Sequence, residues 1–224
     1  MPIEILKPGQ VEELDAFLAT HAHSSMYLRA ELRRDIGRGN VAIARRHGLI
    51  VGAAAQLAGG MLVLQAPLAA GALAAAVLGS TGRRLAGFFG PIAQVRAARR
   101  EMGLAAVALL KDTHEDLFAL ALADLRLPAP LADGAVRCRV AGPADEALLV
   151  AWRAAFRQAA LNDVAGANLE RASRADIAAL LPAGSLFVLA SDRPLACCSF
   201  NARLPQQVQI GNVWTPPALR RTAS

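Results

Sequence analysis

Lysine is nearly missing from this chain. Of its 24 basic residues only Lys7 and Lys111 are lysines, and the rest are arginines. A genome-wide preference for Arg and Ala accounts for this without a functional cause. Aromatics are also scarce, at 4% of residues. That argues against a single-strand nucleic-acid platform, which needs aromatic side chains for base stacking. The arginines crowd at 29–38, 45–46, 83–84 and 96–100, with no aromatics interleaved. The net charge of +6 favours anionic partners in general, from nucleotide phosphates to nucleic acid or a membrane surface. Spread this widely it reads as solvated surface charge, and a basic nucleic-acid binder is the least favoured function. Cysteines number three, Cys138, Cys197 and Cys198, with no metal-ligand spacing and no Cys/His pairing. They read as reduced, apolar core thiols of a cytoplasmic protein, with Cys197 and Cys198 on opposite faces of a strand. No metal site is expected. Glu4, Glu12, Glu13 and Asp15 precede any long apolar run, so no secretory leader is expected.

One stretch, 49–80, carries no charged residue, which raises a membrane reading. A spanning helix needs about 20 strongly apolar residues in succession. Gln56, Gly59-Gly60, Gln65 and Pro67 interrupt the stretch, and much of it is Ala and Gly. A hairpin followed by a buried helix fits better. Otherwise the chain, 54% hydrophobic and 19% charged over 224 residues, has ample material for one large or two small cores.

The spacing of Val11, Leu14, Phe17 and Leu18 predicts a helix over 10–22. Ser24 or Ser25 is placed to cap a second helix, through Met26 and Leu28 to about Gly37. Strands are expected at 41–46 and 49–56 around the turn His47-Gly48, and at 61–65 after Gly59-Gly60. Pro67 suits the first turn of a helix to about Leu78. A strand at 85–89, a helix at 92–102 ended by Gly103, a strand at 104–110 and a helix at 116–125 complete the first half. Residues 127–134, with two prolines and a glycine, read as a linker between a domain at 1–126 and one at 135–224. In the second domain the pattern predicts a strand at 136–140 and helices at 143–158 and 169–180. Asp145 and Glu146 lie in the first turn of the first of these helices, where negative charge suits the dipole. Strands at 185–190, 195–200 and 206–214 follow. The order is β-α-α-β-β-β.

That order, with Val213-Trp214-Thr215-Pro216-Pro217 and Arg220 at the end of the fourth strand, resembles the start of the acetyl-CoA site in the GNAT acyltransferases. In that family a basic residue opens an Arg/Gln-x-x-Gly-x-Gly/Ala loop that leads into a helix. The first half resembles the degenerate N-terminal domain of a two-domain bacterial GNAT protein. The residues that carry this are Gly52 after 49–51, Leu64-Gln65-Ala66-Pro67, and Gly90-Pro91 with 92–95. The implied fold class is α/β with mixed sheets, a tandem GNAT-like N-acyltransferase fold with an incomplete second domain. The implied function is acetyl transfer from acetyl-CoA to an amine of unidentified structure. Val213, Trp214 and Thr215 match the pantetheine and thioester positions, and Arg220 and Arg221 the start of the pyrophosphate loop.

The physical reason for such a loop is general: pyrophosphate needs convergent backbone N–H groups, best supplied by glycines at a helix N-terminus. A strand with a free edge can pair with pantetheine amides, and an N–H there can stabilise a thioester oxyanion. Asn212 and Ala223 stand where the family has glycines. The resemblance therefore implies truncation within the acetyl-CoA motif, as by a frameshift or a fragmentary gene model. No catalytic residue is assigned: Tyr27 lies in the other domain, the four histidines are scattered, and Asp163 and Glu170 sit near a helix start. Packing of the strand end into the core remains an alternative for Val213 and Trp214, and a basic tail for Arg220 and Arg221. A non-catalytic GNAT-like binding or regulatory module is the alternative function. The fourth strand, left as a sheet edge, predicts marginal solubility or homodimerisation through it.

Overall fold

The computed structural model describes residues 1–33 and 40–220. The chain folds as two compact units, Met1–Ala119 and Leu120–Ser224, each with its own sheet.

The first unit begins with strand β1 (Ile3–Ile5) and helices α1 (Val11–Ala19) and α2 (Ala22–Arg33). Glu12 and Glu13 occupy the first turn of α1, where carboxylates suit the positive end of the dipole. Leu14 and Leu18, one turn apart, are fully buried. Helix α2 starts upstream of the cap expected from the sequence. Ser24 and Ser25 lie inside it, and Ser25 Oγ donates to the carbonyls of Leu18 and His21 at 2.5 and 2.8 Å. The hydroxyl thus adds a second partner to carbonyls at the junction of α1 and α2 that already accept backbone N–H groups. The expected end near Gly37 lies outside the described residues. Strands β2 (Val41–Arg46), β3 (Leu49–Gln56) and β4 (Met61–Gln65) follow as antiparallel neighbours. The first turn is made by His47 and Gly48, both with positive φ (51° and 82°), which matches the twist of the flanking strands. Helix α3 (Ala70–Thr81) then crosses over to β5 (Gly87–Phe89), which lies parallel to β4. Helix α4 (Ile92–Glu101) closes the series.

Both faces of this sheet are covered. On one, Ala42, Ala44, Ala54, Leu62 and Leu64 pack with Leu73, Ala74 and Val77 of α3 and Ala98 of α4. On the other, Val41, Ile43, Ala53, Ala55 and Val63 pack with Leu14, Leu18 and Leu28 of α1 and α2. Both sides of each pleat are apolar, as a doubly covered sheet requires.

Past α4 the expectations fail. The strand at 104–110 and the helix at 116–125 do not form, apart from a short turn at Leu122–Asp124. Val107, Leu109, Leu110, Leu117 and Phe118 are exposed. Apolar periodicity is present there, but none of the described residues covers it, so no burial offsets the entropy of ordering. Nη2 of Arg99 reaches the carbonyls of Leu104 and Val107 at 3.2 Å each.

The second unit contains a short helix α5 (Ala129–Ala132), strand β6 (Arg137–Val140), and helices α6 (Glu146–Leu161) and α7 (Ala167–Leu180). Strands β7 (Leu186–Ala190), β8 (Pro194–Leu204) and β9 (Gln207–Trp214) follow, antiparallel in the order β6-β7-β8-β9. This is the β-α-α-β-β-β order expected from the sequence, and the first unit runs through the same order before adding α3, β5 and α4. Asp145 lies in a 3-10 turn just before α6 rather than in the helix. It accepts from Gly142 N (2.9 Å) and pairs with Arg139 at 2.6 and 2.7 Å. The Arg139 guanidinium holds its carboxyl below the usual carboxylate range, against the opposing effect of burial.

The helices cover one face of the second sheet, where Leu149 of α6 and Ile177 of α7 cluster with Ala141, Leu186 and Val188. On the other face Val140, Val208 and Ile210 are exposed, beside the rings of Phe187 and Phe200, which meet at 4.8 Å with their planes tilted by 54°. Cys197 and Cys198 do face opposite sides, but Cys138 is exposed rather than a core thiol, because it lies on the uncovered face of β6. No described helix is long and apolar enough to cross a membrane.

Candidate functional site

Two bulges shape hairpin β8–β9. Cys197 pairs with Trp214, but Ser199 pairs with Gly211, so β9 carries one extra residue between them. Asn212 occupies that bulge with φ of 51°. Asparagine tolerates this left-handed conformation better than most residues, which is why it can stand where a glycine is the simpler solution. Farther along, Phe200 pairs with Ile210 and Ala202 with Gln209, so Asn201 is an extra residue on β8. The Asn212 amide ties β9 to β8 at two points and to α6 at a third. Nδ2 donates to Ser199 Oγ (2.7 Å) and Asn201 Oδ1 (3.1 Å), and Oδ1 accepts from Arg153 Nη1 (2.6 Å).

Arg153 was not singled out from the sequence, although a signal existed. Leu149, Trp152, Arg153 and Phe156 follow helical spacing, so Arg153 sits on the apolar stripe of α6. Its Nε donates to Asp176 of α7 at 2.7 Å. Arg157, one turn on, binds Asp163 (2.7 Å) and the same Asp176 (2.9 Å). Burial disfavours its charge, but the two carboxylates outweigh that and raise its pKa. Asp163 is thus committed to Arg157 rather than presented to a substrate.

Of the residues expected at the site, the structure brings Trp214, Thr215 and Arg220 together. Trp214 is 6% exposed and meets Phe156 edge to face at 6.1 Å. Arg220 Cζ lies 4.7 Å from the centre of the Trp214 ring, and its Nε donates to Thr215 O at 2.8 Å. A cation over an indole face is a favourable contact, so Arg220 folds back onto the strand end. Val213 points the other way and is 62% exposed. Arg221 lies outside the described residues. Beneath Trp214 is a cavity of about 20 Å³ lined by Trp152, Arg153, Phe156, Cys197, Asn212 and Trp214. The Trp214 Nε1 is buried with no hydrogen-bond partner among the described residues. Burial, then the neighbouring Cys198, push the Cys197 thiol up to about 11, against Arg153. Such a shift keeps the thiol protonated at neutral pH and lowers its thiolate fraction.

Acetyl-CoA asks two things of these residues. Its pantetheine arm needs a strand edge, and β9 has no neighbour on its outer side among the described residues. Its pyrophosphate needs converging N–H groups, and here the described loop does not fit. Pro216 and Pro217 have no N–H. Leu219 N and Arg220 N turn inward to the carbonyls of Pro216 (2.8 Å) and Pro217 (3.2 Å). In the first unit the matching amides are satisfied by the protein itself. Ala66 N donates to Gln94 Oε1 at 2.6 Å, and Gly71 N, in the first turn of α3, donates to Glu101 Oε2 at 2.8 Å. An anion already sits at that helix end.

Several arginines that build the positive charge are engaged internally. Arg29 and Arg33 pair with Asp15, and Arg45 bridges Glu4 and Glu13. Among the described residues no group of three or more His, Cys, Asp or Glu could hold a metal ion. Tyr27 packs its ring against Phe89 in the first unit, and His21 against Phe17.

No family model matches this sequence. No curated protein matches it either. A solved structure described as an acetyltransferase of the GNAT family from Colwellia psychrerythraea aligns with 97% of this chain and 79% of its own, at 16% identity and a TM-score of 0.41.

Proposed function

We propose that this chain is a tandem GNAT-like protein whose second unit takes acetyl-CoA along the β9 edge for transfer of the acetyl group to an amine. The observation that carries this reading is the β-α-α-β-β-β order ending in a bulged, open-edged strand. The Asn212 bulge interrupts the ladder and turns Val213 outward, at the position where pantetheine and thioester are expected. Helices α6 and α7 would form the amine side. The described residues supply the strand half of such a site and not a phosphate cradle, so no catalytic step is derived. The reading places the protein in the reducing cytoplasm, consistent with three free thiols.

Calorimetry of the full chain tests it. Acetyl-CoA is expected to bind, and acetyl-pantetheine to bind within a few-fold of it, because the phosphates find no partners. Release of free CoA thiol in the presence of amines reports transfer. Absence of any acetyl-CoA binding rejects the reading. A second reading, a non-catalytic GNAT-like module, is favoured by the paired prolines at 216 and 217 and by Glu101 on the α3 amino end. It predicts neither binding nor thiol release.

A further inference from the structure

Both tryptophans of the chain, Trp152 and Trp214, border the cavity inside the second unit, between helices α6 and α7 and strands β7 to β9. It leaves about 20 Å³ of room for the centre of a water molecule. A single bound water needs roughly 10–15 Å³ of such room and polar partners to hold it. Apart from the indoles, the lining residues that carry polar side-chain atoms are Arg153, Cys197 and Asn212.

The donors and acceptors on this lining do not balance. Trp214 is 6% exposed, and its Nε1 is buried with no acceptor among the described residues. An indole N–H can only donate, and a buried donor left unpaired carries its full desolvation penalty. Arg153 is donor-only as well, with Nε given to Asp176 and Nη1 to Asn212. The Asn212 Oδ1 that accepts from Nη1 keeps a second lone pair. A group held here must therefore accept from Trp214, donate to Asn212 Oδ1 and be no larger than one oxygen atom with its hydrogens. Water does all three. A halide ion accepts but cannot donate, and Asp176 already balances the charge of Arg153.

We propose that this cavity is a binding site for one internal water, which accepts from Trp214 Nε1 and donates to Asn212 Oδ1. The water extends the Arg153–Asn212 network to the indole and fixes the ring on which Arg220 rests. The end of β9 is then held from inside as well as by its pairing with Cys197. Acetyl-CoA binding is not required, so this proposal and the functional reading can fail separately.

Water-selective NOE and ROE spectra of the isotope-labelled full chain test it. The two indole N–H resonances are assigned with Trp152→Phe and Trp214→Phe. Leu149, Ile177 and Leu186 also line the cavity and are 1%, 2% and 3% exposed, so surface hydration does not reach their methyl groups. Methyl protons do not exchange with solvent, which makes them a clean reporter. These methyls and the Trp214 indole N–H are expected to show cross-peaks to water, with the opposite NOE and ROE signs of a water held longer than the tumbling time. Trp214→Phe should abolish the methyl cross-peaks and Trp152→Phe should keep them. Absence of methyl cross-peaks in the parent chain overturns the proposal without any variant. Their persistence in a folded Trp214→Phe chain also overturns it, since the indole would not be the partner. So does an indole resonance of Trp214 that shifts as chloride is added, which would assign the cavity to an anion.

Discussion

Ala54 in β3 and Cys198 in β8 hold equivalent places in two sheets of the same strand order, yet their surroundings differ. Ala54 is fully buried under α3, while Cys198 is only half covered and has no helix above it among the described residues. The first sheet separates two hydrophobic clusters and the second supports one. Side-chain size follows. Alanines line the first sheet because a helix must approach closely, and Phe187, Phe200 and Ile210 line the open one. Six elements therefore specify the sheet and its order in both units, but stability is contributed by what lies on its two sides.

The contrast is broken most directly by cavity formation. Leu62→Ala, in a strand covered on both faces, is expected to cost about 3 kcal/mol, whereas Ile210→Ala should stay within about 0.5 kcal/mol. Urea denaturation of the full chain, following each unit, measures both, and an equal cost for Ile210→Ala would mean that the second face is covered in solution. Next in size is the Asn212 bulge, which the equivalent pair β3–β4 lacks. Asn212→Ala loses three hydrogen bonds and strains a left-handed residue, at roughly 2–3 kcal/mol by thermal melting. Asn212→Gly keeps the backbone geometry and should cost clearly less. If the two variants melt together, backbone conformation is not what Asn212 supplies.

Smaller effects separate the units further. A Cβ on Gly71 would collide with the Glu101 side chain, so Gly71→Ala should cost about 1–3 kcal/mol. Gly79→Ala, on the same helix with open space around it, should gain about 0.5–1 kcal/mol. Opposite signs by chemical denaturation would identify Glu101 as the resident partner of the α3 amino end. Acid acts on the second unit through Asp145. Its folded pKa is lowered, so the Arg139 pair contributes above the unfolded carboxylate value of about 3.9 and is lost as pH falls through the folded value. Asp145→Asn is expected to remove about 1 kcal/mol at neutral pH, and to make no difference well below pH 4. A destabilisation that persists at low pH would assign Asp145 a purely steric role. The smallest effect is chemical: at pH 8 Cys138 should be alkylated well before Cys197, whose thiol is pushed to about 11.

Local signals carried much of this fold. The His47-Gly48 and Gly59-Gly60 turns, the Leu14/Leu18 spacing and the strand run at 206–214 were legible because turn chemistry and periodicity act over a few residues. The segment 104–125 was misread by the same rules. Its apolar spacing suits a strand and a helix, but periodicity does not say whether a covering surface exists. At the candidate site, the place of Trp214 and Thr215 at the end of β9 was legible from the strand pattern. The Arg153–Asn212 contact spans 59 positions of sequence, and only a misplaced charge on an apolar stripe hinted at it. The fold of Arg220 back onto Trp214 was not foreseen, since the motif suggested a side chain extended toward phosphate.

The two bulges of hairpin β8–β9 work like an insertion and its compensating insertion in a reading frame. One extra residue on β9 at Asn212 shifts the pairing by one, and one on β8 at Asn201 shifts it back. Only the short interval between them is out of step. Removing Asn212 alone would put the Trp214 end of β9 out of step with Cys197, and removing Asn201 alone would put the turn-side ladder of Ala202 and Arg203 out of step with the rest of β8. Removing both would leave each flank in phase. The two asparagines, hydrogen-bonded to each other across the strands, are thus a matched pair of length changes, and either is tolerable only because of the other.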